Sequence, residues 1–208
     1  MNKLITVIMF SLFTTSFSFA QNENLSVTLF TKSEIKKLLG EYPTKNSPEG
    51  NLDYETLIDW QNKRTSEECE LADAQKDTNL EVFFVDNNGP LTKEEAKKAA
   101  RLIFLKKVSA GANIYRAKNI YKRPRPYDAY GDIKPCIELE GSYSYPSGHS
   151  TIARFYALLL ADMYPSKRLA LLQRADEAAV HRMVGGVHYP SDVAAGKRFA
   201  DALYQLLK

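Results

Sequence analysis

Histidine and cysteine are scarce in this sequence of 208 residues, which contains three histidines and two cysteines. So few cysteines exclude a disulfide-dense miniprotein. The histidines, His149, His181 and His188, lie close together in the sequence. Because imidazole is the side chain that most readily gains and loses a proton near neutral pH, this region is where we expect chemistry.

A strong excess of one charge is also lacking. Lysine and arginine total 28, aspartate and glutamate total 25, and the formal net charge is +3. A charge so near balance predicts no general attraction to nucleic acid or to an anionic membrane, although local patches can still bind anions. The hydrophobic content of 44% excludes a disordered polymer.

Long hydrophobic runs are absent from the sequence after residue 20. The nearest candidate, Phe155–Met163, follows Arg154 and contains Asp162. A helix that spans a membrane needs roughly 20 predominantly apolar residues. No membrane span is therefore expected after the N-terminal segment.

Residues 1–20 have the pattern of a secretory signal peptide. Lys3 gives a positive start, Leu4–Phe13 is almost wholly apolar, and Ser18 and Ala20 are small residues at the two positions that a signal peptidase reads. The apolar run is too short for a membrane anchor. We expect cleavage after Ala20 and a periplasmic or secreted location.

The remaining chain, residues 21–208, is expected to form a single domain. Its two cysteines, Cys69 and Cys136, fit one disulfide in an oxidising compartment. Two free buried thiols are the alternative interpretation, and both stay open at this point.

The hydrophobic periodicity of that domain is helical. We expect helices over Thr31–Leu39 and Asp53–Asp77, separated by a linker at 42–51 that contains two prolines and a glycine. The run Val82–Val85 resembles a strand, but one short apolar run does not make a sheet, so it is predicted to be a core-lining loop or a helix end.

Capping residues mark the later helices. The expected N-caps are Thr92, with Glu95 completing a capping box, then Ser147, Ser166 and Ser191. The expected helix ends are Pro124, Met163 and Gly185–Gly186. The pattern predicts an all-α, single-domain helical bundle.

A basic segment at the end of the long third helix is the first candidate site. Five cations and no acidic residue lie between Arg116 and Arg125. Such a cluster is more often a solvated surface, but Pro124 and Pro126 make this segment a rigid corner that suits the fixed presentation of Arg125. An arginine fork together with Lys118 matches the oxygens of a phosphate group.

The second candidate site is Pro146-Ser147-Gly148-His149. If Ser147 caps a helix, the backbone N–H groups after it point outward and favour an anion. Gly148 would let the anion approach the backbone closely, and His149 would lie beside it, able to give it a proton. An ordinary capped helix with an exposed histidine produces the same pattern.

The third candidate site runs from Arg182 through His188 to Asp192. Asp192 follows His188 by four residues, which lets the carboxylate hold one imidazole nitrogen and leave the other free as a nucleophile. A lone His–Asp pair is usually structural. Taken together, however, the three motifs supply what is needed to bind and transfer a phosphoryl group.

The three motifs resemble the signature of a known superfamily in their order and internal spacing. Lys118-x6-Arg125-Pro126, Pro146-Ser147-Gly148-His149 and Arg182-x5-His188-x3-Asp192 are similar to those of the phosphatidic acid phosphatase type 2 (PAP2) and vanadium haloperoxidase superfamily. Within it, the sequence most resembles the class A bacterial non-specific acid phosphatases. That class usually has serine where this chain has His181, and threonine where it has Ser150.

The resemblance implies a metal-independent acid phosphatase that needs no cofactor and acts on phosphomonoesters through a phosphohistidine intermediate. His188 would attack phosphorus, Asp192 would orient its ring, and His149 would act as general acid and base. The residues implied to hold the phosphate oxygens are Lys118, Arg125, Ser147, Gly148 and Arg182. The resemblance also implies inhibition by phosphate or vanadate, and a homodimer. An acidic pH optimum is expected because His149 must carry a proton.

Other interpretations use some of the same residues. A vanadium-dependent haloperoxidase has nearly the same anion cage, and a soluble lipid phosphate phosphatase would share the motifs. A metallohydrolase could be built on His149, His188 and Asp192. Finally, the chain could bind phosphate without catalysis, or its basic corner could bind nucleic acid; neither interpretation needs both His149 and the His188–Asp192 pair.

Overall fold

Ten α-helices and one short 3-10 helix make up the secondary structure of residues 27–208, the part of the chain that the computed structural model describes. The helices are α1 Lys32–Leu39, α2 Pro48–Lys63, α3 Ser66–Ala74, α4 Leu80–Phe84, α5 Lys93–Leu102, α6 Phe104–Tyr121, α7 Pro126–Ala129, α8 Gly148–Met163, α9 Arg168–Val184 and α10 Pro190–Leu207. No strand occurs in that range, and the prediction of an all-α fold is confirmed. The predicted signal peptide lies outside the described residues.

The centre of the bundle is α8, which packs against α9 and α10 more extensively than against any other helix. It is apolar around most of its circumference, as expected for a helix surrounded by others. Phe155, Ala157 and Leu160 are fully buried, and burial of each large apolar side chain contributes about 1.5–3 kcal/mol. The N-terminus of this helix therefore lies on a rigid element.

Side-chain caps fix the starts of several helices as the sequence predicted. Thr92 and Glu95 form the expected capping box at α5, and Ser147 caps α8 by accepting from the backbone N–H of Ser150. Each such cap stabilises a helix by about 1 kcal/mol. The predicted end of α8 at Met163 is also confirmed.

Several predicted bounds in the N-terminal half are wrong. The linker at 42–51 is shorter than expected, because α2 already begins at Pro48, a residue well suited to the first helical turn. The single helix expected over 53–77 is two helices, α2 and α3, since Arg64 is extended and Thr65 opens a new capping box. The prediction for Val82–Val85, by contrast, is confirmed: these residues are the end of the short helix α4 and its C-cap.

Two predicted N-caps and one predicted continuous helix are also wrong. The helix that Thr92 opens is interrupted at Ile103, which leaves helical geometry and separates α5 from α6. Ser166 lies inside the 3-10 helix Pro165–Lys167 rather than capping α9. Ser191 lies inside α10, because Pro190 takes the first helical position and Tyr189 precedes it as N-cap.

A disulfide joins Cys69 in α3 to Cys136 in the loop that follows α7. The two residues are separated by 67 positions, and closing a loop of this length contributes about 4 kcal/mol in the chain-entropy model. The alternative of two free thiols is therefore not what the structure forms. Within residues 27–208, none of the helices combines the length and apolar character needed to cross a bilayer.

Candidate active site

The three sequence motifs meet at the N-terminal end of α8. The backbone N–H of Ser147 donates to the carbonyl of Asp192 at 3.0 Å, which ties the second motif to the third. Arg125 Nη1 lies 3.0 Å from His188 Nε2, which ties the first motif to the third. His149 and Arg182 line one surface cavity of about 230 Å³.

The first motif presents its cations through a change of backbone direction. Lys118 lies in the last turn of α6. That helix ends at Tyr121, and the next residue, Lys122, adopts a left-handed conformation with φ of 50°. The chain then continues in extended form to Arg125, directly before the first residue of α7, Pro126. This rigid corner directs Arg125 into the interior, where it is 1% exposed.

His188 is held by Asp192 in the geometry that the spacing predicted. Its Nδ1 lies 3.2 Å from Asp192 Oδ2, and both side chains are fully buried. The same carboxylate oxygen accepts from the backbone N–H of Tyr189 at 3.0 Å and from the hydroxyl of Ser144. Because a carboxylate only accepts, we assign the imidazole proton to Nδ1, which leaves the lone pair on Nε2.

Burial keeps this imidazole neutral. Desolvation lowers the pKa of His188 well below its ordinary value, and the neighbouring charges of Arg125 and Lys118 lower it further. A neutral imidazole with an oriented ring is the nucleophilic form.

The two ring nitrogens of His149 face different partners. Its Nε2 donates to the carbonyl of Lys76 at 2.5 Å, and its Nδ1 lies 3.6 Å from Glu140 Oε1. Burial first, and the charge of Arg182 next, lower the pKa of His149 to about 4. Nδ1 is therefore the atom that can give a proton to a group in the pocket or take one from it.

Lys118 and Arg182 are desolvated cations. Burial, followed by the charge of Arg125, lowers the pKa of Lys118 to about 7, and burial lowers that of Arg182 to about 10. Lys118 Nζ donates to the carbonyls of Tyr143 and Ser144, and Arg182 Nη2 donates to that of Ala72. Carbonyl oxygens compensate a buried cation only partly, so both side chains favour an anion nearby.

Ser147 and Gly148 form the start of α8 beside these cations. Ser147 Oγ accepts from Ser150 Oγ at 2.9 Å, which leaves its own hydroxyl hydrogen to donate. A Cβ on Gly148 would lie 3.5 Å from the side chain of Lys118. The first backbone N–H groups of this helix and the lysine thus share one small volume, as anion binding at a helix N-terminus requires.

Four polar residues at this site were not predicted from the sequence. Glu140 accepts a hydrogen bond from Arg125. Arg123 donates to both Asp192 and Asp53, and the hydroxyl of Ser144 donates to Asp192. The basic run contained Arg123 but gave no reason to separate it from its neighbours. Nothing in the sequence marked Glu140, because its contacts are tertiary.

The segment from α2 to α4, whose role the sequence left open, supports the site through its backbone. The carbonyl of Ala72 binds Arg182 and that of Lys76 binds His149. His181, the residue that replaces the usual serine, lies outside the cluster of cations and bonds through Nδ1 to Gln75 Oε1 at 2.7 Å. Within residues 27–208, no group of three or more His, Cys, Asp and Glu side chains is arranged to hold a metal ion.

This fold and this cluster define a class of proteins. Residues 100–200 match the family model of the PAP2 superfamily, and that range contains all three motifs. Residues 100–200 thus form a PAP2 superfamily domain, and the resemblance noted from the motifs is confirmed.

Curated relatives include phosphatases of two kinds. An acid phosphatase of Zymomonas mobilis subsp. mobilis is 42% identical over 89 residues, which are 40% of this chain and 33% of that protein. A non-specific acid phosphatase of Providencia stuartii is 34% identical over 113 residues, 52% of this chain and 46% of that protein. A lipid A 1-phosphatase of Rhizobium johnstonii is 28% identical over 143 residues, 62% and 58% respectively. The chain thus spans between a third and somewhat over half of these relatives.

Solved structures share the fold. A transmembrane PAP2-type phosphatidylglycerolphosphate phosphatase from Bacillus subtilis matches with a TM-score of 0.57 over 78% of this chain and 86% of that one. A bacterial vanadium-dependent iodoperoxidase matches with a TM-score of 0.56 over 80% of this chain and 49% of that one. Sequence identity is 18% in both cases, so the likeness concerns architecture.

Proposed function

We propose that this protein is a metal-independent acid phosphatase that hydrolyses phosphomonoesters through a phosphohistidine intermediate. One observation carries the proposal: a neutral, Asp-held imidazole lies within a buried cluster of cations, with Arg125 Nη1 3.0 Å from His188 Nε2. Such a cluster is complementary to a phosphoryl group and supplies a nucleophile at its centre. The similarity to acid phosphatases supports the same activity.

Substrate binding is the first step. Lys118, Arg125 and Arg182 would contact the non-bridging oxygens of the phosphoryl group, together with the Ser147 hydroxyl and the Gly148 N–H at the start of α8. Backbone carbonyls already hold Lys118, Arg125 and Arg182 beside the start of α8. Once substrate is bound, these cations stabilise the charge that spreads over the phosphoryl oxygens in the transition state.

Transfer to His188 is the second step. The Arg125 N–H that lies against Nε2 of His188 first turns to a phosphoryl oxygen, which frees the lone pair. Nε2 then attacks phosphorus as the bond to the ester oxygen breaks, and the leaving alkoxide takes a proton from Nδ1 of His149. The imidazole of His188 gains positive charge as the N–P bond forms. Asp192, bonded to its Nδ1 at 3.2 Å, offsets that charge.

Hydrolysis is the third step. Water attacks phosphorus and gives a proton to Nδ1 of His149, the N–P bond breaks, and inorganic phosphate leaves. His149 is then protonated and ready to serve as acid again. His188 returns to its neutral state with a lone pair on Nε2.

The pH dependence follows from His149. Its pKa is lowered to about 4 in the free protein, so the proton it must donate is present in a growing fraction of molecules as pH falls toward that value. A bound phosphate anion raises the pKa of a neighbouring imidazole, which extends activity to higher pH. We therefore propose that turnover is greatest under acidic conditions.

The proposal also covers the processing, location, inhibition and oligomeric state of the protein. We propose that residues 1–20 are a cleaved signal peptide, that residues 21–208 form a single acid phosphatase domain, and that the protein works in the periplasm or after secretion. The disulfide between Cys69 and Cys136 supports an oxidising compartment. Phosphate and vanadate are proposed as competitive inhibitors, and the protein as a homodimer.

Hydrolysis of an aryl phosphate across pH tests this function. The proposal expects acid-favoured turnover that a chelator leaves unchanged and vanadate inhibits. It also expects that His188→Ala abolishes turnover and that His149→Ala removes most of it, while His181→Ala, at a histidine outside the cluster, retains it.

Two results would redirect the assignment. Halide oxidation that requires vanadate would identify a haloperoxidase. A strong preference for a lipid phosphate in mixed micelles over the aryl phosphate would identify a lipid phosphate phosphatase.

A further inference from the structure

A carboxylate lies inside the cationic cluster to which the proposed function assigns the phosphoryl group. Glu140 Oε2 accepts from Arg125 Nη2 at 2.6 Å, and Glu140 Oε1 lies 3.6 Å from His149 Nδ1. One side chain thus bridges the arginine proposed to bind phosphate and the histidine proposed to protonate the leaving group.

Glu140 also interacts electrostatically with the other members of the cluster. Its charge opposes the lowering of the pKa of Lys118, Arg182 and His188 that burial causes. Burial alone would raise the pKa of Glu140, but the neighbouring groups outweigh it and lower this pKa to about 2. Of these neighbours, Arg125 is the one that stays positively charged while His188 and His149 are neutral. The carboxylate is therefore ionised and is the anion that these groups share.

Glu140 belongs to the lining of two cavities. It lines the larger one, of about 760 Å³, with Lys118 and Arg125, and the smaller one, of about 230 Å³, with His149 and Arg182. Oε1 of Glu140 and Nε of Arg182 are buried and have no hydrogen-bond partner among residues 27–208. An unpaired buried acceptor and an unpaired buried donor in one site mark a place where a different ligand would satisfy more bonds.

We propose that Glu140 is a built-in competitor of the substrate: in the free protein its carboxylate takes the place of phosphoryl oxygens, and it must leave before a phosphoester reaches His188. This inference rests on the proposed function, because it assigns the phosphoryl group to the same cluster. It makes Glu140 a residue that determines affinity. The fully buried state of His188 agrees, since side chains around it must move before any ester can reach it.

Arg125 does not depend on Glu140 for its position. Its Nε donates to the carbonyl of Ser142 at 2.8 Å, its Nη1 to that of Val187 at 2.8 Å, and its Nη2 also to Ser142 Oγ at 3.0 Å. Removing the charge of Glu140 should therefore leave Arg125 in place. It also removes a negative charge that repels the negatively charged phosphoryl group of the substrate. The two possible roles of Glu140, competitor or support, predict opposite changes in phosphate affinity.

Calorimetric titration of the full chain with inorganic phosphate tests the proposal. Glu140→Gln keeps the shape of the side chain without its charge, and we expect it to bind phosphate about tenfold more tightly than the unmodified protein, or better. Glu41→Gln is the control, because Glu41 forms an exposed ion pair with Lys36 and lines neither of the two cavities. It should leave phosphate affinity unchanged.

A second variant guards against misfolding of the first. Glu140→Asp keeps the charge but withdraws it by one methylene from Arg125, so phosphate affinity should rise by a smaller factor. Circular dichroism establishes that each variant is folded. Unchanged or weaker binding in folded Glu140→Gln or Glu140→Asp would overturn the proposal, whereas an unmodified protein that neither binds phosphate nor hydrolyses an aryl phosphate would refute the proposed function itself.

Discussion

The guanidinium of Arg123 donates through Nη1 to Oδ1 of Asp192 at 2.7 Å, and both side chains are buried. Through Nη2 the same group donates to Asp53 in α2 at 2.8 Å, and it lies 3.8 Å from the ring centroid of Tyr189. Arg123 thus connects a distant helix to the carboxylate that orients His188. The His188–Asp192 pair is part of a network, and its geometry depends on residues well outside the three motifs.

Replacing Arg123 should therefore affect both stability and turnover. Arg123→Gln leaves two buried carboxylates, those of Asp53 and Asp192, without their cation, and we expect a loss of about 3–5 kcal/mol in the free energy of unfolding. Denaturant unfolding measures the loss. The kcat for an aryl phosphate should fall while KM changes less, because the guanidinium of Arg123 is bonded to Asp192 and Asp53 and acts on His188 through Asp192.

Arg154 offers a control for that experiment. It pairs with Asp201 at 2.7 Å, but both side chains are partly exposed, so Arg154→Gln should cost about 1 kcal/mol or less. Equal stability of the two variants would contradict the central place of Arg123.

A glycine in α10 sets the distance between that helix and the start of α8. A Cβ on Gly196 would lie 2.7 Å from the carbonyl oxygen of Ser147, closer than such atoms approach. We expect Gly196→Ala to destabilise the protein by about 1–3 kcal/mol and to raise KM, because the displaced segment carries the N–H groups at the helix start. Thermal unfolding and steady-state kinetics measure both effects.

Gly111→Ala in α6 is the matched substitution for this test. A Cβ there would meet no atom within 4 Å among the described residues, so the protein should gain up to about 1 kcal/mol from the better helix former. If both alanine variants changed the stability in the same direction and by the same amount, close packing at Gly196 would not contribute to the stability of the protein.

Stability should fall as the solution becomes acidic. Burial lowers the pKa of His149, His181 and His188, so below about pH 6.5 the unfolded chain binds protons that the folded chain does not. The contribution of these groups is fully present above that pH and is lost as pH falls toward about 4, the value for His149. Urea midpoints measured across this range should decrease steadily.

Added phosphate should reduce that loss, because an anion in the cluster favours protonated His149 in the folded state. The ordinary pKa of histidine is 6.5, and that of His149 is lowered to about 4. A urea midpoint that stayed constant or rose as the pH was lowered from 6.5 to 4 would contradict the burial of the neutral histidines.

Local signals made some of this structure predictable. Ser147 and the apolar residues after it defined α8 to the residue, because a cap and a buried helix are both properties of contiguous sequence. The contact between His188 and Asp192 was predictable for the same reason, because two residues four positions apart are separated by about one helical turn. The disulfide was predicted as one of two alternatives.

Tertiary contacts were not predictable in the same way. Glu140 contacts Arg125 from a loop whose sequence has no regular pattern. The carbonyls that bond to Arg182 and His149 belong to Ala72, in α3, and to Lys76, in the segment after α3. Backbone carbonyls carry no residue-type signal at all. The interruption at Ile103 also lacked a glycine or proline to mark it.

The proposed mechanism requires a covalent intermediate on His188, which mass spectrometry after an alkaline quench would detect. His149→Ala should slow hydrolysis of the intermediate while an aryl phosphate, whose leaving group needs little protonation, still transfers its phosphoryl group. In His149→Ala we expect one added phosphoryl group on the peptide that contains His188, and in His149→Ala/His188→Ala we expect none. Turnover of the unmodified protein with no phosphorylated His188 peptide in His149→Ala, or phosphorylation of another residue, would contradict it.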